Sequence, residues 1–160
     1  MTAAARTPAG DVLTDLVLEV FRLNGGFFEA AERLARPVGL TAAWWQVLGI
    51  TLDEPRPVAE IARRVGGGKA RQSVQRIADL LVDKGWATYE PNPRHARAKL
   101  LAPTPPGRRA VHRLAGAQHR WADAVAGSIG EDALRHCLRT ISVVADEVER
   151  CADAQDAAAK

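Results

Sequence analysis

The stretch that decides the fold is residues 58–102, VAEIARRVGGGKARQSVQRIADLLVDKGWATYEPNPRHARAKLLA. Its first half repeats apolar residues at three- and four-residue steps, which predicts a short helix over 58–65 and a longer helix over 70–84. A run of three glycines separates the two helices, and Gly85 is well placed to end the second. The stretch therefore begins as a pair of helices joined by a glycine turn.

The second half of the stretch has the period of strands. Residues 86–90 read as a strand, residues 91–97 as a basic loop, and residues 98–102 as the return strand. Two helices followed by a basic hairpin predict a winged helix-turn-helix. In that fold one helix enters the major groove of DNA while the hairpin reaches the neighbouring groove.

The segments before the stretch are helical. Apolar residues recur over 13–34 and predict a long helix, with a kink or a close backbone approach at Gly25-Gly26 because glycine weakens a helix interior. Thr41 is a suitable N-cap for a helix over 42–52. The run Glu54-Pro55-Arg56-Pro57 predicts a turn.

The segments after it are helical too. Thr104-Pro105 is a strong helix start, and glycines at 127 and 130 end that helix. A last helix from about residue 131 carries Cys137 and Cys151 on its apolar stripe, where cysteine acts as a small hydrophobic residue.

Composition and charge narrow the function. The 160 residues are 47% hydrophobic and 26% charged, which is typical of a globular protein. Between Arg56 and Arg113 lie 13 Lys and Arg against 4 Asp and Glu, whereas the remainder carries 9 against 15. The basic middle predicts contact with a polyanion, and the alternative is an uneven solvated surface. Two cysteines and no secretory leader predict a cytoplasmic protein that makes no membrane contact.

Residues 40–107 resemble the MarR family of transcriptional regulators. The matching pieces, in order, are Leu40-Thr41, Trp45–Leu48, Ala59–Arg64, Arg71–Asp79, Lys84–Trp86, Arg97–Leu100 and Thr104–Gly107. The resemblance implies a mostly α-helical, winged helix-turn-helix protein with N- and C-terminal dimerisation helices and a small β-hairpin wing.

The resemblance also predicts how the chain is divided. We expect a flexible N-terminus over 1–10, a dimerisation region formed by 11–40 and 105–152, a DNA-binding domain over 41–104 and a frayed tail over 153–160. Some relatives sense oxidants through a cysteine in the N-terminal helix, and this chain has none there.

Two departures from the family pattern affect the DNA-binding part. The turn Gly66–Lys69 is about two residues longer than usual. His95 stands where the family's wing often carries an aspartate that orients the arginine at the position of Arg97. This substitution raises the hypothesis of a pH-sensitive wing.

The recognition helix of the resemblance falls on the predicted helix over 70–84. Its candidate DNA-binding side chains are Arg71, Gln72, Ser73, Gln75 and Arg76. Arg71 and Gln75 are the expected base readers, because arginine matches guanine and glutamine matches adenine through two hydrogen bonds each. Arg76 is the expected phosphate contact. The alternative is a solvated helix face.

The wing and the first helix of the motif supply further candidates. The wing set is Arg94, His95, Arg97 and Lys99, and the phosphate set is Arg63, Arg64 and Lys69. We expect Arg97 to enter the minor groove, where a narrow A·T-rich groove attracts a cation. The alternative is a charged hairpin tip that keeps the protein soluble.

Other sites have weaker signals. In the resembling family a pocket for small aromatic ligands lies beside the second helix, and Phe28, Trp44 and Trp45 are candidates for it, with core packing as the alternative. The histidines and cysteines do not form a metal-ligand pattern, and no catalytic residues or cofactor are predicted.

Together these features predict a non-enzymatic, sequence-specific DNA-binding regulator. The resemblance implies a repressor that binds a pseudo-palindromic operator as a homodimer and is released by a small aromatic ligand. The alternative is a dimeric ligand-binding or protein-interaction module that has lost specific DNA binding.

Overall fold

The computed structural model describes residues 6–66, 71–95 and 97–158. These residues form six α-helices, three short strands and one 3-10 turn. In chain order the elements are α1 (Pro8–Ala35), the 3-10 turn (Arg36–Val38), α2 (Ala42–Ile50), β1 (Arg56–Pro57), α3 (Val58–Gly66), α4 (Arg71–Asp83), β2 (Ala87–Glu90), β3 (Leu100–Pro103), α5 (Pro105–Ile129) and α6 (Glu131–Ala158). The predicted fold class, mostly α with a small β-hairpin wing, is confirmed.

The wing contains one strand more than a hairpin. The sheet is antiparallel with the order β1-β3-β2, so β3 is central. Arg56 pairs with Leu101 on one side of β3, and Tyr89 pairs with the same residue on the other side. The prediction of a turn over Glu54–Pro57 is therefore wrong for its last two residues, which form β1 and attach the start of α3 to the wing.

Helix α1 runs unbroken through Gly25 and Gly26. A Cβ atom built on either glycine would meet no atom within 4 Å in the described chain. The predicted close backbone approach is therefore absent from this protomer. Thr7 caps the helix by accepting a hydrogen bond from the Gly10 N–H at 3.1 Å, so α1 begins before residue 11.

Helix α2 begins on a double cap. The Thr41 hydroxyl accepts from the Trp44 N–H at 3.2 Å, as its N-cap position predicts. The Glu32 carboxylate accepts from the Ala42 N–H at 2.7 Å. Because Glu32 belongs to α1, this second bond also fixes where α2 begins relative to α1.

The two ends of the wing are held by helix caps. Gly85 takes a positive φ of 72° after α4, and the Trp86 N–H donates to the Leu81 carbonyl at 2.8 Å, which closes the helix end. Thr104 precedes Pro105 at the start of α5, and its hydroxyl donates to the Gly85 carbonyl at 2.7 Å. Both predicted caps are confirmed.

The core lies under the winged region. Its largest fully buried apolar side chains come from α2, α3, α4, β3 and α5: Val47, Leu48, Ile61, Val74, Leu81, Leu101 and Leu114. Leu80 of α4 is apolar as well, but its side chain is 40% exposed. The buried face of α4 is formed by Val74, Ala78 and Leu81. Leu80 directly precedes Leu81, so its side chain is rotated about 100° around the helix axis from that of Leu81.

The chain divides into two compact units, residues 1–116 and 117–160. The second unit contains the end of α5 and all of α6, joined at Gly130 with a φ of 90°. None of the described side chains of α6 is buried, and Cys137 and Cys151 are exposed and unbridged. Helix α6 continues to Ala158, through most of the segment expected to fray.

None of the described helices is both long and apolar enough to cross a membrane.

Candidate nucleic-acid interface

Helix α4 separates a core face from a polar face. Val74, Ala78 and Leu81 are buried. The predicted DNA-binding residues of the helix are all exposed: Arg71, Gln72, Ser73, Gln75 and Arg76. Because the core holds one side of the helix, the opposite side presents these five side chains to solvent in a fixed register.

The predicted phosphate contacts on α3 lie at the end of that helix. Arg63 and Arg64 are both exposed. The Arg64 guanidinium lies 3.1 Å from Glu60 on the same helix, so part of its charge is already paired. Lys69 lies outside the residues that the structure describes.

Two successive turns shape the loop of the wing. The Arg94 N–H donates to the Asn92 side chain at 2.9 Å, and the Ala98 N–H donates to the His95 carbonyl at 3.1 Å. The predicted wing residues Arg94, His95, Arg97 and Lys99 are all exposed. The loop therefore carries its basic side chains on the outside of the sheet.

The recognition helix and the wing meet at a cleft of about 320 Å³. Arg71 and Gln75 line it from α4, and Arg97 and Lys99 line it from the wing. Within the described chain none of the three cationic side chains has a hydrogen bond or ion pair. The cleft thus brings the two expected base readers beside the expected minor-groove arginine, whereas Gln72, Ser73, Arg76, Arg94 and His95 lie outside its lining.

A polar triangle joins α4 to β2 at the wall of this cleft, which Gln75 and Tyr89 line and Asp79 does not. Gln75 Nε2 lies 3.0 Å from Asp79 Oδ1 and 2.8 Å from Tyr89 Oη, and the Tyr89 hydroxyl donates to Asp79 Oδ1 at 2.7 Å. Burial, together with the hydrogen bond and charge of Asp79, raises the pKa of Tyr89 to about 12. Sequence reasoning missed Asp79 and Tyr89, although a Gln–Asp pair at i,i+4 on a helix was a usable signal.

Not every arginine of the basic segment faces outward. The Arg56 side chain is only 15% exposed and contacts Glu54 at 2.5 Å, Glu60, and the Ile50 carbonyl at 3.2 Å. Burial pushes the pKa of Glu60 upward, but the hydrogen bonds and charges of Arg56 and Arg64 outweigh it and leave that pKa below its ordinary value.

Arg108 has a similar structural role. Its guanidinium donates to the Leu52 carbonyl at 2.6 Å. Arg56 therefore holds the carbonyl of the last residue of α2, and Arg108 holds a carbonyl just after that helix. Both arginines are among the Lys and Arg residues between Arg56 and Arg113 that suggested contact with a polyanion.

A second cleft, of about 370 Å³, lies between α1 and α2. Phe28 and Trp45 line it, with Phe27, Ala31 and Gln46 among their neighbours. The structure thus brings together two of the three residues predicted for a ligand pocket. Trp44 does not line the cleft, because its ring lies beneath the Lys84 ammonium at 5.6 Å, a cation–π contact.

No metal-binding group was found among the residues that the structure describes, since no three His, Cys, Asp or Glu side chains are suitably placed to share an ion.

Comparison with known proteins identifies relatives of this chain. Residues 38–98 match the sequence model of the MarR family. The chain is 38% identical over 144 residues to an uncharacterized protein of Mycobacterium tuberculosis, Rv2011c, covering 88% of this chain and 98% of that protein.

Solved structures share the fold. The transcriptional repressor CouR bound to a 23-mer DNA duplex superposes with a TM-score of 0.70 at 24% identity, covering 88% of this chain and 99% of CouR. CouR from Rhodococcus jostii RHA1 bound to p-coumaroyl-CoA gives a TM-score of 0.68 at 19% identity, covering 81% and 91%. With its recognition helix, wing and caps in the predicted order, this chain belongs to the MarR family of winged-helix transcriptional regulators.

Proposed function

We propose that this protein is a sequence-specific DNA-binding transcriptional repressor that acts as a homodimer. The observation that carries the proposal is the cleft at which Arg71 and Gln75 of α4 meet Arg97 and Lys99 of the wing. A helix that reads base edges beside a basic hairpin is the arrangement that a winged helix uses to contact two adjacent grooves.

Each cation has a role in this proposal. Arg71 and Gln75 read base edges, and Arg97 enters the minor groove. Arg76, Arg63, Arg64, Lys69, Arg94 and Lys99 contact the phosphate backbone, which positions the protein without reading sequence. Gln72, Ser73 and His95 lie beside these groups and complete the contact surface.

The apolar helices outside the winged region support the homodimer. On α1, Leu18 is 63% exposed and Phe21 69% exposed, and on α6, Leu138 is 67% and Val143 68% exposed. Large apolar side chains at such exposure are typical of a surface that a partner covers. A two-fold dimer predicts a pseudo-palindromic operator with half-sites about 10 bp apart.

The cleft that Phe28 and Trp45 line supports a small aromatic effector. Aromatic walls suit a flat apolar ligand, and a relative of the same fold was solved with p-coumaroyl-CoA. A ligand bound between α1 and α2 lowers the affinity for the operator when it stabilises a dimer whose two recognition helices do not match the spacing of the half-sites.

The test is selection of bound sequences from a randomised DNA pool at two salt concentrations, followed by fluorescence anisotropy with the selected site. We expect a palindromic motif and an affinity that falls steeply as salt rises, because phosphate contacts release counterions. Bound sequences without a shared motif would reject specific recognition. No binding at low salt would favour a dimeric interaction module.

The effector is tested with p-coumaroyl-CoA as the probe, by tryptophan fluorescence and by its effect on the anisotropy titration. Quenching together with weaker operator binding supports a ligand-released repressor. Quenching without any change in operator binding would remove the regulatory role of the cleft.

A further inference from the structure

The Gln75 amide is held from behind by two groups of the protein. Its Nε2 atom lies 3.0 Å from Asp79 Oδ1 and 2.8 Å from Tyr89 Oη, and those two oxygens are 2.7 Å apart. Asp79 is one helical turn further along α4, whereas Tyr89 belongs to β2. The recognition helix and the wing therefore hold the same side chain.

The chemistry of the triangle decides which way the amide faces. An ionised carboxylate only accepts hydrogen bonds, so the amino group of Gln75, and not Oε1, must face Asp79. The Tyr89 hydroxyl gives its single hydrogen to Asp79 and accepts from Gln75 with a lone pair. Turning the amide over would place Oε1 against a carboxylate oxygen, and two acceptors repel each other.

The triangle also leaves part of the amide available. Its three sides are nearly equal, so the two acceptors lie about 60° apart as seen from Nε2, which is about half the angle between the two N–H bonds of an amide. A single N–H directed between the two oxygens can therefore serve both, and the second N–H is then free. Oε1 has no hydrogen-bond partner in the part of the chain that the structure describes.

We propose that Tyr89 and Asp79 are positioning residues that hold the Gln75 amide in one orientation and thereby set its preference for adenine. A free N–H and a free carbonyl oxygen are the donor and acceptor that match adenine N7 and N6 in the major groove. This inference rests on the proposed DNA-binding function and adds to it the residues that determine specificity at one base pair.

The phenol is suited to this role. With a pKa of about 12, it stays protonated throughout the physiological range and remains a donor to Asp79. Tyr89 is half-buried, while Gln75 and Asp79 are exposed, so the ring anchors the triangle to the sheet.

The experiment compares operators that differ at one base pair. With the selected operator in hand, each A·T pair of the half-site is replaced in turn, and anisotropy affinities are measured for the wild type, Tyr89→Phe, Gln75→Ala and the double variant. Tyr89→Phe keeps the ring and removes the hydroxyl. Thr88→Ala, an exposed neighbour on the same strand, is the matched control.

We expect the wild type to favour A·T at the Gln75 position. Tyr89→Phe should reduce that preference about tenfold, since a good bidentate contact contributes discrimination of this order. Affinity for non-specific DNA should stay unchanged. In the Gln75→Ala background, Tyr89→Phe should have no further effect, because Tyr89 acts through Gln75.

Three results would overturn the inference. An equal loss of affinity on every sequence would make Tyr89 a structural residue only. A loss that persists in the Gln75→Ala background would show that Tyr89 does not act through Gln75. Asp79→Asn tests the other acceptor of the triangle. If Tyr89→Phe and Asp79→Asn both discriminate between base pairs as the wild type does, the triangle has no role in specificity. Failure of the proposed function is distinct, since the wild type would then select no operator.

Discussion

Gly107 of α5 packs directly against the backbone of Trp86: a Cβ atom built on Gly107 would lie 2.1 Å from the Trp86 carbonyl oxygen. The same carbonyl accepts a hydrogen bond from the Thr104 N–H at 3.0 Å. The entrance to the wing and the start of α5 are therefore held together by backbone atoms, with no room for a side chain at residue 107.

Gly107→Ala should destabilise the fold by about 1–3 kcal/mol or more, because the new methyl group must displace a backbone carbonyl. Urea unfolding measures the effect as a lower midpoint with an unchanged slope. Gly49→Ala is the matched control: it lies within α2, has nothing within 4 Å of its added Cβ, and should stabilise by about 0.5 kcal/mol. Equal stability of Gly107→Ala and the wild type would contradict the close contact.

Arg56→Ala should destabilise the protein by about 1–3 kcal/mol, since it leaves Glu54, Glu60 and the Ile50 carbonyl without their shared donor. Arg33→Ala is the control, because its ion pair with Glu29 spans 3.8 Å at an exposed site and should contribute less than about 0.5 kcal/mol. Similar losses in the two variants by urea unfolding would show that the buried position of Arg56 adds nothing.

The helix ends around the wing could be predicted because their causes are local. Gly85 supplies the positive φ that ends α4, and Thr104-Pro105 supplies a cap and a restrained first residue for α5. Neither signal needs a distant part of the chain. For the same reason the positions of Arg71 and Gln75 on the polar face followed from the spacing of the apolar residues.

Other features depend on contacts that are distant in sequence. Arg56 was counted among the cations for a polyanion, but charge counting does not reveal that Glu60 and the end of α2 enclose it. The contact between Gln75 and Tyr89 requires the packing of α4 on the sheet, which no local pattern specifies. Gly25 and Gly26 predicted a kink or a close backbone approach, yet α1 continues through both and no atom of the described residues outside α1 lies near either one. A glycine shows only that such an approach is sterically allowed.

The pKa of Tyr89 can be measured directly, because it is the single tyrosine in the chain. Ultraviolet absorbance of the phenolate should titrate near pH 12 in the folded protein and near 10 in urea. Since the folded pKa is the higher one, the stabilisation from Tyr89 is complete below pH 10 and is lost as the pH rises through 12. Asp79→Asn should lower the folded midpoint, and a folded midpoint near 10 in the wild type would contradict the hydrogen bond.

Arg71→Ala should cost about 1–3 kcal/mol of operator binding and relax sequence preference at one base pair, because it removes a base-edge contact. The measurement is anisotropy with the selected operator and its single-base variants. Arg36→Ala, at an exposed arginine outside the cleft, should bind as the wild type does. An equal loss on all sequences would make Arg71 a phosphate contact.

Arg97→Ala should weaken operator binding most where the flanking base pairs are A·T-rich, since a narrow minor groove attracts the guanidinium most strongly. Affinities are compared for operators with A·T-rich and G·C-rich flanks, again with Arg36→Ala as the control. Unchanged affinity with an intact fold would remove the wing from the mechanism.

Phe21→Glu should separate the proposed dimer, because it places a charge on an α1 side chain that is 69% exposed and that we expect a second copy to cover. The dissociation constant should rise at least about thirtyfold, the loss typical of a central interface residue, as measured by light scattering across a dilution series. Ala9→Glu is the control, since an acidic residue in the first turn of a helix is favourable. A monomeric Phe21→Glu variant should also lose the palindromic operator while keeping weak binding to a single half-site. Retention of full operator affinity by a monomer would contradict two-fold recognition and leave a single winged domain as the binding unit.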